Sequence, residues 1–117
     1  MRIDRATLKD LEDLAILFDG YRVFYGQASD LERAREFVRA RLERGDSVVF
    51  LARDDGGAAT GFTQLYPSFS SVSTAPIWIL NDLYVAPDAR QGGVGAALMR
   101  RARDFALETG ALRLELT

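Results

Sequence analysis

The sequence predicts an α/β fold in which a mixed, mostly antiparallel sheet is flanked by helices. Short apolar or alternating runs are typical of strands, and longer runs with apolar residues three or four apart are typical of helices. Along this chain the two patterns follow the order β-α-α-β-β-β-α-β. The chain has 117 residues, of which 48% are hydrophobic, enough for one compact core. We therefore expect a single domain over residues 1–117.

Two helices are predicted in the first half of the chain and one in the second. Thr7, with Asp10 three residues later, makes a near capping box, and Gly20 is expected to end the helix that follows. Asp30 is expected to cap the second helix, which Gly45 ends. The apolar stripes are Leu8, Leu11, Leu14, Leu17 and Phe18 in the first helix, then Leu31, Ala34, Phe37, Val38 and Leu42 in the second. The third helix is predicted over residues 94–109, with Leu98, Ala102, Phe105 and Ala106 buried and Gly110 following its end.

Five strands are predicted, at residues 2–5, 47–53, 59–66, 77–85 and 112–117. The run Asp-Asp-Gly-Gly at residues 54–57 indicates a hairpin between the second and third strands. Pro67 is expected to end the third strand, and the serine-rich residues 68–75 are expected to form a loop. Simple alternation along the fourth strand places Trp78 and Asp82 on the same face.

The composition excludes several kinds of chemistry. The chain has no cysteine and no histidine, which excludes disulfides, thiolate nucleophiles, Ser-His dyads and ordinary Cys/His zinc sites, so we expect no metal site. A net charge of −2 does not indicate a nucleic-acid surface. No apolar run is long enough to span a membrane, and the N-terminus lacks the apolar segment of a signal peptide. We therefore expect a cytoplasmic protein that binds neither nucleic acid nor membrane.

The residues between the fourth strand and the third helix carry the strongest functional signal. A strand leads into a glycine-rich loop that opens a helix, and such a loop binds phosphate through backbone N–H groups. Gly92, Gly93 and Gly95 have no Cβ, so an anion can approach the main chain closely. A P-loop is excluded, because Ala96 and Ala97 stand where a lysine and a serine or threonine are needed.

Two other interpretations of this loop stay open at this point. A dinucleotide-binding loop has the pattern G-x-G-x-x-G directly after a strand. Gly93 and Gly95 fit that pattern, but its third position is Leu98, and residues 86–92 separate the glycines from the strand. The second alternative is a glycine-rich turn that only caps the helix.

The pattern that fits the loop is Arg90-x-x-Gly93-x-Gly95-Ala96, and it resembles the acyl-coenzyme A loop of the GNAT superfamily of N-acetyltransferases. Residues 81–87, Asn-Asp-Leu-Tyr-Val-Ala-Pro, resemble that family's fourth strand and its exit, and the order of elements along the whole chain is similar to the family's order. The resemblance implies that acetyl-CoA is the cosubstrate, with its pyrophosphate on the loop and its pantetheine arm paired to the strand as an added strand would be. The implied cofactor-binding residues are Leu83, Tyr84, Val85, Arg90, Gln91, Gly92, Gly93, Val94, Gly95 and Ala96.

Two candidate catalytic residues, Asp82 and Asn81, precede the implied acetyl-binding backbone. An amine must lose a proton before it attacks a thioester, and a carboxylate attracts a cationic amine, so Asp82 is expected to hold or deprotonate the acceptor. A buried structural acid is the alternative role for Asp82. Asn81 cannot act as a base, but it can orient a water or the substrate. Tyr25 and Tyr66 belong either to the acceptor pocket or to the aromatic core.

The expected function is transfer of an acetyl group from acetyl-CoA to a primary amine of a small molecule, by direct attack in a ternary complex. The alternatives are a protein or peptide amine as acceptor, and a non-catalytic acyl-CoA-binding or sensing module. The family's general acid is commonly a tyrosine on a later helix, and no residue up to Thr117 matches it. Apolar alternation in residues 112–117 predicts an exposed edge strand, so we expect a homodimer.

Overall fold

A computed structural model describes all residues of the chain, 1–117. The strands are β1 (Arg2–Arg5), β2 (Val48–Arg53), β3 (Ala59–Ser70), β4 (Ala75–Val85) and β5 (Leu114–Leu116), and the helices are α1 (Leu11–Phe24), α2 (Leu31–Arg44) and α3 (Val94–Glu108). Single 3₁₀ turns lie at Leu8–Asp10 and Pro87–Ala89. None of the helices has the length and apolar character that crossing a membrane requires.

The five strands form one sheet in the order β1-β2-β3-β4-β5. Every neighbouring pair is antiparallel except β4 and β5, which run parallel. The parallel pair follows from α3, because a helix that runs back along the sheet returns the chain to the end at which β4 began, so that β5 starts there and runs in the same direction. The predicted α/β class, with a mixed and mostly antiparallel sheet between helices, is confirmed.

Different helices cover the two faces of the sheet. Side chains alternate along a strand, so Val49 and Phe62 pack in a cluster with α1 and α2, whereas Phe50 and Leu65 pack with α3. Both α1 and α3 contact β4. The C-terminal part of β4 is therefore the place where residues from both layers can meet.

Helix α1 does not end at Gly20, contrary to the sequence prediction; it continues to Phe24. The glycine serves close packing, because a Cβ at Gly20 would lie 2.9 Å from the Tyr84 hydroxyl oxygen. The additional helical turn brings Phe24 up to the C-terminal part of β4.

The third and fourth strands are longer than the sequence predicted, and residues 68–75 are mostly strand rather than loop. Ser70 pairs with Ala75, so only the four residues between them form the turn. Pro67 is accommodated because β2 pairs with β3 only as far as Leu65, which leaves β3 without a neighbour on that side at Pro67. A proline costs no ladder hydrogen bond on such an edge.

A bulge in β4 changes which face its side chains occupy. Gln64 pairs with Asp82 and the next residue, Leu65, pairs with Leu80, so Asn81 is an extra residue in β4. The prediction that Trp78 and Asp82 share a face is therefore wrong: Trp78 packs with the α3 cluster, whereas Asp82 faces α1. A bulge bends its strand and reorients side chains, and bulges are common beside functional sites.

The fifth strand is shorter than predicted, spanning Leu114–Leu116 instead of residues 112–117. It pairs with β4 only along Trp78, Ile79 and Leu80. The pairing therefore stops at the bulge, and beyond it the edge of β4 from Asp82 to Val85 has no strand beside it on the β5 side.

Candidate functional site

The glycine-rich loop ends in an open helix N-terminus. Gly93 is the N-cap residue of α3, with φ 76° in the left-handed region that favours glycine, and no side chain caps the helix there. The first N–H groups of a helix have no partner inside the helix and carry partial positive charge. The N-terminal turn of α3, from Val94 to Ala96, thus offers backbone donors to an anion.

A cleft of about 510 Å³ lies between this N-terminus, the open edge of β4 and the end of α1. Seven of the predicted cofactor-binding residues line it: Leu83, Tyr84, Val85, Arg90, Gly93, Gly95 and Ala96. Phe24, the last residue of α1, and Tyr25, which directly follows it, complete the lining. Most of this lining is apolar, as is usual in a cleft that holds the body of a small ligand.

The three other predicted cofactor-binding residues, Gln91, Gly92 and Val94, line a neighbouring cavity of about 380 Å³. Asp54, Asp55 and Asp88 contribute its acidic side. The loop therefore forms part of the lining of two adjacent cavities. The side chain of Val94 itself is buried in the α3 cluster, so only its backbone is offered to a ligand.

Arg90 lies across the cleft rather than over the loop. Its Nε donates a hydrogen bond of 3.0 Å to the Val85 carbonyl. Its guanidinium lies 5.3 Å from the centre of the Phe24 ring and 5.7 Å from that of Tyr84, within the range of cation–π attraction. Arg90 is thus held against the open edge of β4.

Asp82 is at the centre of a buried hydrogen-bond network. Only 4% of its surface is exposed. Its Oδ1 accepts from the Tyr21 hydroxyl (2.5 Å) and from Asn81 Nδ2 (3.0 Å), and its Oδ2 accepts from Gln64 Nε2 (2.5 Å). Ser47 Oγ in turn donates to Gln64 Oε1 at 2.8 Å. The carboxylate joins α1, β3 and the bulge of β4, the geometry of a positioning group.

The pKa values of two tyrosines near this carboxylate are raised. Burial raises the pKa of Tyr21 well above its usual range, and the hydrogen bond to Asp82 and the charge of that residue raise it further. Burial and the charge of Asp82 also raise the pKa of Tyr66. Both phenols therefore stay protonated at neutral pH, and Tyr21 stays a donor to Asp82.

The structure brings the two candidate catalytic residues together: Asn81, in the bulge, donates to Asp82. It also places Tyr25 in the lining of the cleft and Tyr66 close to Asp82. Sequence reasoning missed Tyr21 and Gln64. A glutamine between the apolar residues Phe62 and Leu65 of the predicted strand was the available signal for Gln64. Tyr21 had no such signal, because its partner lies 61 residues away. No group of three or more His, Cys, Asp or Glu residues is arranged to hold a metal ion.

Comparisons with known proteins agree on one family. A family model described as "Acetyltransferase (GNAT) family" matches residues 11–117. The uncharacterized N-acetyltransferase YhfO of Bacillus subtilis is 50% identical over 116 residues, covering 99% of this chain and 77% of the relative. A probable acetyltransferase of Haemophilus influenzae is 37% identical over 114 residues, covering 97% of this chain and 78% of the relative. A crystal structure of a probable acetyltransferase superposes with a TM-score of 0.95 at 48% identity, covering 100% of this chain and 78% of that one.

Proposed function

This chain belongs to the GNAT family of acetyltransferases, and on that premise we propose that it moves an acetyl group from acetyl-CoA to a primary amine of a small molecule. The single observation that carries the proposal is the cleft in which the open edge of β4 meets the uncapped N-terminus of α3. One element offers strand-like hydrogen bonding and the other offers a cluster of anion-binding amides.

The residues present fit acetyl-CoA on two counts. A pyrophosphate needs closely spaced donors and room beside them, which the backbone from Gly93 to Ala96 supplies, whereas the Gly92 N–H already donates to the Ala89 carbonyl. An amide-bearing arm can pair with a strand edge that no other strand covers, which Leu83, Tyr84 and Val85 supply, although the Val85 carbonyl already accepts from Arg90 Nε. Arg90 would border this path through its contact with Tyr84.

Acetyl-CoA would supply the activated acetyl group, and direct attack by the amine needs no nucleophile from the enzyme. That route suits a chain with no cysteine and no histidine. We assign Asp82 a positioning role, because its two oxygens already accept three hydrogen bonds. The network would hold the bulge, and with it the backbone of Leu83 beside the acetyl group, where an N–H can polarise a carbonyl.

The proposal is tested by a pair of substitutions at Gly95. A Cβ there would lie 3.7 Å from Val85 Cγ2, an ordinary contact, so Gly95→Ala serves as a matched control. Gly95→Trp places an indole in the cleft and should raise the Kd for coenzyme A at least about tenfold, or ~1.4 kcal/mol. Calorimetry measures both. Equal affinities of the tryptophan and alanine variants would remove the loop from the site.

Turnover of acetyl-CoA is then measured with polyamines, amino acids, aminoglycosides and a lysine-containing peptide. Acetylation of a small amine supports the proposal, and acetylation of the peptide alone would reassign the acceptor to proteins. Coenzyme A binding without turnover of any amine would indicate a non-catalytic acyl-CoA-binding module instead.

A further inference from the structure

We propose that a third, smaller cavity, between α1 and α2, binds an oxyanion, a carboxylate or a phosphate group. The cavity has a volume of about 220 Å³ and is lined by Phe18, Arg22, Arg33 and Phe37. We further assign this oxyanion to the acceptor amine; this second part rests on the proposed function, whereas the binding site itself does not.

The two arginines of this cavity have no carboxylate partner. Neither Arg22 nor Arg33 has an acidic oxygen within 4.0 Å. Other arginines of α2 do: Arg35 Nη1 lies 2.8 Å from Glu32, and Arg39 Nη1 lies 2.5 Å from Glu36. The cationic charge that lines the cavity is therefore available to a ligand, and the planar guanidinium fork matches a carboxylate or a phosphate.

One guanidinium nitrogen of this cavity is a buried donor with no acceptor in the protein. The Nη1 atom of Arg22 is buried and has no hydrogen-bond partner. A buried, charged donor without an acceptor is costly, and such groups are nearly always paired in native proteins. An oxyanion on the Arg22 guanidinium in the cavity would supply the compensating charge.

The acidic groups nearby are already engaged. Hydrogen bonds from the Ser29 hydroxyl and the Asp30 N–H lower the pKa of Asp19, and the charge of Arg22 lowers it to a lesser extent. These two hydrogen bonds, 2.6 and 2.8 Å long, use one oxygen each, and neither oxygen lies within 4.0 Å of the Arg22 guanidinium. The Asp30 carboxylate accepts from the backbone N–H of Arg33 as the N-cap of α2. These carboxylates order the connection between α1 and α2 and leave both guanidinium groups without a partner.

A single layer of aromatic side chains separates the cavity from the Asp82 hydrogen-bond network. The ring of Phe18 stacks on Phe37 (5.3 Å between centres) and contacts Tyr21 (5.7 Å), whose hydroxyl donates to Asp82. Tyr21 also contacts Tyr25 (5.0 Å), which lines the larger cleft. The last turns of α1 thus contribute to both cavities, so an acceptor held at Arg22 by its anionic end lies against the helix that borders the cleft.

The first test uses binding alone, with acetate and inorganic phosphate as probes. Titration followed by the arginine Nε–Hε resonances should shift those of Arg22 and Arg33 but not that of Arg39. The probe that saturates at the lower concentration identifies the preferred oxyanion, carboxylate or phosphate. Arg33→Gln should weaken that binding about tenfold or more, the range for a charge-assisted hydrogen bond, whereas Arg39→Gln should leave it unchanged. Resonances of Arg22 and Arg33 that do not move with either probe would overturn the site.

A stability measurement separates a ligand site from a mere packing defect. Arg22→Met removes the unpaired buried charge and should raise Tm in the absence of anions. The same substitution should abolish the rise in Tm that phosphate or acetate gives the unchanged protein, because a ligand stabilises only the state that binds it. A methionine variant that keeps the anion-dependent rise in Tm would contradict the proposal.

The acceptor assignment is tested with matched amines: 4-aminobutyrate against butylamine, and phosphoethanolamine against ethanolamine. The acidic member of the preferred pair should show the higher kcat/KM. Arg33→Gln should reduce that preference about tenfold through KM, and Arg39→Gln should preserve it. An unchanged preference in Arg33→Gln would separate the oxyanion site from the acceptor. If no amine is acetylated, the proposed function fails while the titration still decides the site.

Discussion

At the scale of single residues, Asp82 connects the elements that form the site. Its carboxylate is buried and accepts hydrogen bonds from Tyr21, Gln64 and Asn81. A carboxylate that accepts from three donors is well compensated for the loss of water. The same bonds keep it from acting as a freely accessible base, which is why we assign it to positioning.

Asp82→Asn replaces an acceptor oxygen by a donor and leaves one of the surrounding donors without a partner. We expect unfolding free energy to fall by about 1–3 kcal/mol, turnover to fall, and the Kd for coenzyme A to stay unchanged. Chemical denaturation, an acetylation assay and calorimetry measure the three quantities. Asp104→Asn, at an exposed position of α3, is the control. Normal turnover on every accepted amine would exclude Asp82 from the mechanism.

Tyr21 makes stability depend on alkaline pH. Its pKa is raised in the folded state, chiefly by burial, so folding favours the protonated phenol. This contribution is complete below the unfolded pKa, about 10, and is lost as pH rises above it. We expect Tyr21→Phe to show a shallower loss of unfolding free energy than the unchanged protein as pH rises above about 10. Part of the slope should remain, because the pKa of Tyr66 is raised as well. Identical slopes in urea unfolding would show that Tyr21 does not titrate with folding.

At the scale of elements, the site depends on how closely β3, β4 and α3 approach one another. Gly61 of β3 is the point of closest approach: a Cβ there would lie 2.8 Å from the Tyr84 carbonyl oxygen and 3.1 Å from Val94 Cγ1. The backbone oxygen cannot move away without shifting β4. The spacing between β3 and β4 and the position of α3 on the sheet therefore both depend on this glycine.

Gly61→Ala should destabilise the protein by about 1–3 kcal/mol, the usual cost of overpacking. It should also weaken coenzyme A binding, because Tyr84 and Val94 belong to the candidate site. Gly56→Ala is the control, since a Cβ there meets only Asp54 Oδ1 at 3.5 Å. Thermal unfolding and calorimetry report the two effects. Equal Tm values for the two alanine variants would show that the sheet can relax around the added methyl group.

At the scale of the whole molecule, β5 forms one edge of the sheet and leaves apolar side chains exposed. Leu116 is 61% exposed and Leu112 is 49% exposed. Together with Met99 and Leu114, Leu116 borders an open cavity of about 380 Å³. An unpaired strand edge beside apolar surface favours pairing with another chain.

We therefore expect a homodimer formed through β5. Leu116→Lys places a charge at this edge and should shift the molecule toward the monomer, because edge lysines oppose strand pairing. Val72→Lys is the matched control: Val72 is 99% exposed but lies in the β3–β4 turn, away from β5. Size exclusion with light scattering measures the mass. A monomer at high concentration for the unchanged protein would show that the edge does not associate.

The sequence by itself determined the fold class and the loop that opens α3. Both depend on local signals: apolar periodicity over a few residues, and the glycines between Arg90 and Ala96. The predicted strand that precedes this loop ended at Val85, where β4 ends. Seven of the ten cofactor-binding residues predicted from the resemblance line one cleft because they are close in sequence around that strand exit.

Only the tertiary structure decided the rest. The bulge at Asn81 arises from the register between two strands, and it moves Asp82 to the face opposite Trp78. Helix α1 passes through Gly20 because Tyr84, 64 positions further along the chain, lies against it. The hydrogen bond between Tyr21 and Asp82 likewise joins distant parts of the chain. The burial of Arg22 Nη1 without an acceptor also depends on the packing of the fold. Local sequence propensity does not predict these contacts. They form only when distant segments pack together, and the free energy that stabilises them comes from that packing.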